Sequence, residues 1–427
     1  MTLNKKVSNL TNTTNEMIQA IQNGDLQQIN NFLESFLLNE QPEVQYEIAD
    51  LFMQFGFLNE ANRIYEHLQF LFPDEAQLSI DRASVLIELG DEDEALALLM
   101  GIDSESPEYP QSLLLLADYY QMQGLYEVAE QRINEALQLL PNESLLQFAK
   151  AELLFETGRF TEAVRIYEEL HEKNKTIAGV VLAERLAEVY RSGGGYETAL
   201  DYYMEALEES VTPDLLFGSG YAAFQSEKYE LAIKQLEDLK ELDPDYFSAY
   251  LLLAESYAMI EDNKKAYSVI KEGLRRDEYD KSFYLFAGKM ALKNSLPQEA
   301  VDYLQQAIAL DTEYMEAILI LMSIYANEER YEDIIDLYEN LKRDDFDWSA
   351  LYPFVAEAYS KDEQYERAYE IYKLAYNDFK DDPSFLGKYC YFLIEDGKRN
   401  EARTIVNRLI ELQPTEQQWL DLLYTLE

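Results

Sequence analysis

The sequence predicts an all-α solenoid of helical hairpins, because three features recur along its 427 residues at a nearly fixed interval. A small residue, alanine in ten of eleven cases, returns every 33 to 36 residues. A second small residue precedes it by twelve positions, and a turn residue precedes it by five. A unit of this length contacts mainly its neighbours, so we expect a ribbon-like core and no single catalytic cleft.

The two small residues mark where the helices of each hairpin cross, since small side chains let helix backbones approach closely. The later position is occupied by Ala61, Ala95, Ala129, Ala163, Ala199, Ala232, Ala266, Ala300, Ile334, Ala368 and Ala402. The earlier position is occupied by Ala49, Ala83, Ala117, Ala151, Ala187, Gly220, Ala254, Gly288, Met322, Ala356 and Cys390. In the ninth repeat both residues are large, which predicts a splayed hairpin.

Turn signals place the two helices within each unit. Apolar residues at three- and four-residue spacing are interrupted by an acidic residue, a serine or, in six repeats, a glycine. The six glycines are Gly56, Gly90, Gly124, Gly158, Gly194 and Gly397. Proline closes several units, where it ends the second helix. The repeats then begin near residues 42, 76, 110, 144, 180, 213, 247, 281, 315, 349 and 383.

The remaining segments are predicted to cap this array. Residues 1–41 are interpreted as a disordered start to about residue 11 and a degenerate N-terminal capping hairpin with its turn at 23–25. Residues 42–414 hold eleven repeats, and residues 415–427 form an amphipathic C-terminal capping helix. Terminal units of a stack must cover the apolar face that lacks a neighbour.

One stretch departs from the regular spacing. Between residues 171 and 212 one join gains two residues, a run of three glycines follows, and the next join loses one residue. Because glycine is conformationally permissive, this pattern predicts either a hinge with a change of superhelical pitch or a loop variant without mechanical effect.

The charge balance excludes several classes of partner. The net charge is −47, from 82 acidic and 35 basic residues. Nucleic acids and anionic membrane surfaces need a basic footprint, so neither is an expected partner. The acidic excess has two open explanations, solubility of an extended surface and recognition of a basic partner.

Nothing in the sequence predicts catalysis or a cofactor. The two histidines, His67 and His171, lie in different repeats without metal-ligand spacing, and no phosphate-binding, zinc-protease or paired-cysteine motif is present. The single cysteine rules out an intrachain disulfide. No apolar stretch is long enough for a membrane span, and the first residues lack the apolar core of a secretory signal. We therefore expect a cytoplasmic, non-catalytic protein without membrane insertion.

Residues 116–142, LADYYQMQGLYEVAEQRINEALQLLPN, and 186–207, LAEVYRSGGGYETALDYYMEAL, carry the repeat pattern in full. This pattern, over residues 42–414, resembles the tetratricopeptide repeat family and its bacterial cytoplasmic arrays. The resemblance implies a right-handed superhelix of about 24 or 25 helices with about seven or eight repeats per turn. It also implies that the first helix of each unit lines a concave groove, with ligand contacts mostly from its second, fifth, ninth, twelfth and thirteenth positions.

These positions give a candidate partner-binding surface. Six of the eleven ninth positions are acidic and one is basic. The candidate groove residues are Tyr46, Asp50, Asp118, Phe148, Glu152, Phe155, Glu188, Phe217, Tyr221, Phe224 and Glu255. The acids are expected to steer a cationic partner and the aromatic residues to anchor it.

A basic stretch on a second helix interrupts the acidity and gives a possible second surface. Its residues are Lys264, Lys265, Lys271, Arg275 and Arg276. It is interpreted either as a locally mixed solvated face or as a docking surface for an acidic partner or another copy of the chain.

The function predicted from these features is a scaffold or adaptor that binds a basic or amphipathic protein segment in the groove. Two alternatives remain open: a peptide-sensing regulator that changes superhelical pitch, and a holding chaperone for basic client proteins. Family members that bind acidic C-terminal peptides carry Lys and Asn at the inner positions, whereas most of these positions are acidic here. The sequence leaves the oligomeric state and the identity of the partner open.

Overall fold

A computed structural model describes residues 12–343 and 346–426. In this part of the chain 25 α-helices follow one another, which confirms the predicted all-α solenoid of helical hairpins. The predicted disordered start at residues 1–11 lies outside the described residues. The chain divides into two compact units, Met1–Val211 and Thr212–Glu427.

The first unit contains twelve helices and one pair of short strands. Its helices are α1 Asn12–Asn23, α2 Leu26–Asn39, α3 Pro42–Gln54, α4 Leu58–Leu71, α5 Ala76–Leu89, α6 Glu92–Met100, α7 Tyr109–Met122, α8 Tyr126–Leu139, α9 Ser144–Glu156, α10 Phe160–His171, α11 Leu182–Ser192 and α12 Tyr196–Glu209. Its strands are β1 Thr176–Ile177 and β2 Val180–Val181.

The second unit contains thirteen helices and a 3₁₀ turn at Ser349–Leu351. Its helices are α13 Pro213–Gln225, α14 Tyr229–Leu242, α15 Ser248–Met259, α16 Asn263–Leu274, α17 Lys281–Lys293, α18 Pro297–Leu310, α19 Met315–Asn327, α20 Tyr331–Arg343, α21 Tyr352–Lys361, α22 Tyr365–Phe379, α23 Pro383–Glu395, α24 Arg399–Leu412 and α25 Gln417–Leu426.

The helices of each hairpin cross at the paired small residues. In the last repeat the thiol of Cys390 lies 3.9 Å from the carbonyl oxygen of Ala402, and both residues are fully buried. Gly220 shows how tight a crossing can be, because a Cβ there would lie 2.8 Å from Cγ of Leu236. Leu236 fills the space that an alanine would need, so the small residue is a packing requirement at this crossing.

The ninth repeat is the exception that its large residues predict. Met322 and Ile334 are both buried in the core of the second unit. Among the described residues, the Cα traces of α19 and α20 stay within 8 Å of each other over a shorter stretch than in any other repeat. Two large side chains at one crossing therefore separate the helices instead of leaving the hairpin unfolded.

The turn between the helices of each hairpin uses a left-handed residue in all eleven repeats. The first unit and the last repeat place glycine there, with φ between 70° and 84° in Gly56, Gly90, Gly124, Gly158, Gly194 and Gly397. Five turns of the second unit use other residues with φ between 56° and 63°, namely Glu227, Glu261, Ser295, Glu329 and Glu363. The left-handed conformation costs such residues roughly 1–2 kcal/mol, so the hairpin packing of the second unit must offset it.

The two-residue insertion near residue 175 forms structure that the sequence analysis did not predict. Thr176 pairs with Val181 and Ile177 pairs with Val180, across a tight turn at Ala178 and Gly179 with φ of 49° and 84°. Positive φ at both turn residues is the geometry of a two-residue hairpin. Ile177 is buried against the neighbouring helices, which fixes this hairpin on the first unit. The hinge predicted for residues 171–212 stays a prediction.

The ends of the described chain are covered by amphipathic helices. Helices α1 and α2 bury Met17, Ile21 and Phe36 in one cluster with the first repeat. At the other end α25 buries Trp419, whose ring lies against Gly387 and whose Nε1 donates a hydrogen bond of 3.1 Å to Gln413. Both contacts cover apolar helix surface that a solenoid would otherwise expose.

Candidate functional site

A tyrosine of the second helix bonds to the first helix of its own hairpin in two repeats of the first unit. The hydroxyl of Tyr65 donates a hydrogen bond of 2.6 Å to Asp50, and that of Tyr167 donates one of 2.6 Å to Glu152. Each acceptor is the ninth residue of a first helix, fifteen positions before its tyrosine. The ninth-position acids of these repeats therefore have a structural partner inside the hairpin.

A second carboxylate, which sequence reasoning missed, lies beside Asp50. Asp81 of α5 accepts a hydrogen bond of 2.7 Å from the hydroxyl of Tyr46, and the rings of Tyr46 and Tyr65 meet edge to face at 5.9 Å. Burial and, to a lesser extent, the charge of Asp50 raise the pKa of Asp81. Because the charge of Asp50 opposes the ionisation of Asp81, a cation beside the two carboxylates is favoured.

Asp118 of α7 differs from these acids because it has no partner. Its repeat has Ile133 at the position where the repeats of Asp50 and Glu152 have tyrosine. The side chain of Asp118 forms no hydrogen bond or ion pair with any described residue. The side chain is exposed, yet the surrounding chain limits its solvation and raises the pKa of Asp118 to about 6. We call Asp50, Asp81 and Asp118 the inner carboxylates.

Replacing Asp118 by asparagine should stabilise the protein at neutral pH more than at mildly acidic pH. Because the pKa of Asp118 is raised to about 6, the folded chain binds more protons than the unfolded chain between about pH 4 and pH 6. The free energy of unfolding therefore falls as the pH rises through this window, and Asp118→Asn removes that loss.

Thermal unfolding at pH 5.0 and 7.5 measures the effect and stays above the sequence pI of about 4.2. The melting temperature of Asp118→Asn should exceed that of the parent by more at pH 7.5 than at pH 5.0. The exposed second-helix substitution Asp93→Asn is the control and should shift both values equally. An equal shift for Asp118→Asn at the two pH values would contradict the assigned environment.

Two of the predicted steering acids are neutralised within the chain. Arg185 of α11 lies 3.0 Å from Glu152 of the preceding repeat and 2.7 Å from Glu188 of its own helix. All three side chains are about one-quarter to one-third exposed. Sequence reasoning missed Arg185 because it considered one repeat at a time, whereas this contact joins two.

The predicted aromatic anchors of the first unit pack inward. Phe148 is only 8% exposed and meets Tyr167 edge to face at 6.0 Å. Phe155 is half-buried against Phe160, with ring centroids 6.0 Å apart. Phe148 thus contributes to the core of its repeat, and only part of Phe155 is open to a partner.

The second unit has an aromatic stack of its own on α13. Phe217 is half-buried, stacks on Tyr221 at 6.5 Å and contacts the ring of Tyr246 at 5.1 Å. Phe224, one turn further along, meets Tyr229 edge to face at 5.6 Å. These half-exposed rings leave apolar surface available to an incoming side chain.

Glu255 of α15 is the remaining predicted acid of the inner face. Burial raises the pKa of Glu255, and the charge of Lys289 opposes this rise. Lys289 in turn forms an ion pair of 2.6 Å with Glu316. The first helices α15, α17 and α19 of the second unit therefore carry both signs of charge at these positions.

The predicted basic surface lies on α16 and the residues that follow it. Lys265 lies 5.0 Å from the ring centre of Tyr257, and Arg276 forms an ion pair of 2.8 Å with Asp245. Lys271 pairs with Glu299 at 3.3 Å. Lys264 and Arg275 are exposed and contact no described side chain through a hydrogen bond, ion pair or ring.

The described residues contain neither a candidate metal cluster nor a candidate membrane-spanning helix. No group of three or more histidine, cysteine, aspartate or glutamate side chains there is arranged to hold a metal ion. None of the helices there is both long enough and apolar enough to cross a bilayer. The thiol of Cys390 is buried, which raises its pKa to about 12 and disfavours the reactive thiolate.

Comparison with known proteins places these features in a family. Family models described as YpiA-like tetratricopeptide repeats match residues 121–175, and models of the YpiA-like C-terminal repeats match residues 352–416. A general tetratricopeptide repeat model matches residues 184–247 and 217–281. The TPR repeat-containing protein YpiA of Bacillus subtilis is 37% identical over 403 residues, which cover 94% of this chain and 95% of that protein.

Two solved structures are more distant. The crystal structure of YrrB, described as a TPR protein with an unusual peptide-binding site, is 20% identical with a TM-score of 0.39 and covers 44% of this chain and 96% of that one. The C-terminal part of a TPR repeat-containing protein from Cytophaga hutchinsonii is 17% identical with a TM-score of 0.48 and covers 55% of this chain and 96% of that one.

Proposed function

Because this chain belongs to the YpiA-like tetratricopeptide repeat proteins, we propose that it is a non-catalytic scaffold or adaptor for a basic or amphipathic protein segment. Tetratricopeptide repeat proteins generally mediate protein–protein interactions. The segment binds along the first helices of the early repeats, with the inner carboxylates as its main electrostatic contacts.

The observation that carries this proposal is that the side chain of Asp118 forms no hydrogen bond or ion pair with any described residue. An isolated carboxylate with a raised pKa is destabilised in its charged form, and a lysine or arginine side chain beside it would relieve that cost. Asp50 and Asp81 offer a second cation position, since their two charges oppose each other. Binding a cation at either position gains Coulomb energy without breaking an existing ion pair.

The acids proposed to bind the partner differ in part from those expected from the sequence. Glu152 and Glu188 already share Arg185, so a partner gains little from them. Phe155, which is half-buried against Phe160 in the same unit, supports an amphipathic character of the partner, because apolar side chains pack on a partly exposed ring.

Neutralising the inner carboxylates should weaken binding of a basic segment about tenfold at low salt, which corresponds to about 1.4 kcal/mol. The test variant is Asp50→Asn, Asp81→Asn and Asp118→Asn in one chain, which preserves side-chain volume. The probe is a fluorescein-labelled amphipathic peptide of alternating lysine and leucine pairs, and the measurement is its anisotropy between 50 and 300 mM salt. The variant should also lose most of the salt dependence.

A matched variant controls for total charge. Asp93→Asn, Glu127→Gln and Glu169→Gln change the net charge by the same amount at exposed second-helix positions of the same unit. This control should bind within about twofold of the parent chain. Equal losses in the two triple variants would mean that only the overall charge attracts the peptide, and the proposed groove site would be wrong.

A further inference from the structure

The basic stretch on α16 concentrates positive charge in a strongly acidic protein. Five basic residues and one acidic residue lie between positions 264 and 276, whereas the whole chain has 35 basic and 82 acidic residues. A cluster of this density on a second helix is separate from the inner carboxylates, which lie on first helices of the other unit.

Three of these basic side chains form a straight row together with Ser268. Lys264, Ser268, Lys271 and Arg275 are spaced by four, three and four residues, which places them on one face of an α-helix. At a rise of 1.5 Å per residue the row is about 16 Å long. It lines an open cavity of about 760 Å³, together with Tyr267, Glu272 and Arg276.

The ends of the row are the side chains without partners. The side chains of Lys264 and Arg275 are exposed and form no hydrogen bond, ion pair or ring contact with the described residues. The middle residue, Lys271, pairs with Glu299 at 3.3 Å, and the one acid in the cavity, Glu272, pairs with Lys240 at 3.4 Å. The cavity is therefore lined by two cationic side chains, Lys264 and Arg275, that form no ion pair with a described residue.

The helix that carries the row is held rigidly. Gly273 lies so close to its neighbours that a Cβ there would be 2.9 Å from both Phe283 and Tyr250. Helix α16 can therefore pack directly on α15 and α17, and Ala266, Val269 and Ile270 on its other face are buried. A binding row on a packed helix keeps its geometry, which lowers the entropy cost of binding.

From these observations we propose that α16 binds an acidic, extended segment of a partner protein along the row from Lys264 to Arg275. A row of about 16 Å matches five residues of extended chain, at about 3.3 Å each. Alternate side chains of such a segment point to the same side, so two or three carboxylates face the cations at once. A single phosphate group would engage only one end of the row, since its oxygens lie within a few ångströms of each other.

The test uses the full chain and a fluorescein-labelled peptide of four Glu-Ala pairs. At 50 mM salt the parent chain should bind this peptide, and Lys264→Glu with Arg275→Glu should weaken binding at least about tenfold. The control, Arg399→Glu with Arg403→Glu, reverses two exposed cations on α24 that have no partner among the described residues, and should bind within about twofold. Circular dichroism establishes that both variants remain folded.

Three results would overturn the proposal. The first is no binding by the parent chain, or equal losses in the two reversal variants. The second is displacement of the peptide by inorganic phosphate at low millimolar concentration, which would indicate an oxyanion site. The third is a parent chain that does not bind the peptide but self-associates as its concentration rises, with the self-association lost in the variant Lys264→Glu with Arg275→Glu. This result would indicate that a second copy of the chain occupies the row.

The proposed acidic-segment site on α16 and the proposed basic-segment site at the inner carboxylates are tested separately by the two variants. The variant with Asp50, Asp81 and Asp118 changed to asparagine should bind the acidic peptide as the parent chain does. Conversely, Lys264→Glu with Arg275→Glu should still bind the lysine–leucine peptide.

Discussion

Replacing Tyr372 by alanine should destabilise the last two repeats by about 3–5 kcal/mol. Tyr372 is only 2% exposed and lies at the centre of an aromatic cluster. Its ring stacks on Tyr389 and on Phe392, each with centroids 4.9 Å apart, and contacts Phe385 at 5.9 Å. Truncation removes these contacts and leaves a cavity that the α-helices around it cannot close without moving.

The loss should be local, because each repeat of a solenoid is stabilised mainly by its neighbours. Hydrogen exchange measured by mass spectrometry should show faster exchange in α21 to α25 and little change in the first unit. Tyr365→Ala is the control, since Tyr365 is 43% exposed at the start of the same helix. A uniform increase in exchange along the chain would contradict the picture of a stack stabilised repeat by repeat.

Replacing Arg185 by glutamine should lower stability and strengthen binding of the basic probe peptide at the same time. Arg185 lies between Glu152 and Glu188, at 3.0 and 2.7 Å. Its removal leaves two partly buried carboxylates without their counterion, which costs about 1–2 kcal/mol at this exposure. The same two carboxylates then become available to a cationic ligand, so affinity for the lysine–leucine peptide should rise several-fold.

The matched control for this variant is Arg132→Gln. Arg132 forms an ion pair of 2.9 Å with Glu135 along α8, a second helix of the same unit. It should have a small effect on stability and none on peptide binding. Weaker or unchanged binding by Arg185→Gln, with Arg132→Gln as reference, would show that charge on the first helices does not control recognition.

The repeat period predicted most of the fold, because the residues that set it are packing residues. Ala129 and Ala163 are fully buried where the sequence places the helix crossings, and Cys390 contacts Ala402 across the hairpin as their twelve-residue spacing requires. The exchange of glycine for glutamate or serine at the turn is also visible in the sequence. The left-handed backbone of these glutamate and serine residues follows from their position in the repeat, which glycine occupies elsewhere.

Contacts between neighbouring repeats were not predictable from one repeat at a time. Arg185 is the sixth residue of the repeat that begins at residue 180, and it lies 3.0 Å from Glu152, the ninth residue of the preceding repeat. The same register brings Lys388 to within 2.6 Å of Glu357 in the last two repeats. Pairing each ninth residue with the sixth residue of the next repeat would have identified these neutralised acids from the sequence.

The burial of one candidate anchor, Phe148, was not predictable for a related reason. An inner-face position does not decide whether a ring points into the groove or under the adjacent helix, and Phe148 packs under Tyr167. The short strands Thr176–Ile177 and Val180–Val181 were missed because two residues are too few to show a strand period. Asp81 was missed because its role depends on Tyr46 of the preceding repeat.

The most direct test of the central claim is to map where a basic segment lies on the folded protein. Carbodiimide joins a lysine amine to a carboxylate only when the two are in contact, so an isotope-labelled lysine–leucine peptide will mark the acids that it touches. We expect mass spectrometry to find the peptide attached mainly to Asp50, Asp81 and Asp118. Attachment spread over exposed second-helix acids such as Glu127 and Glu169 would contradict a binding groove formed by the first helices.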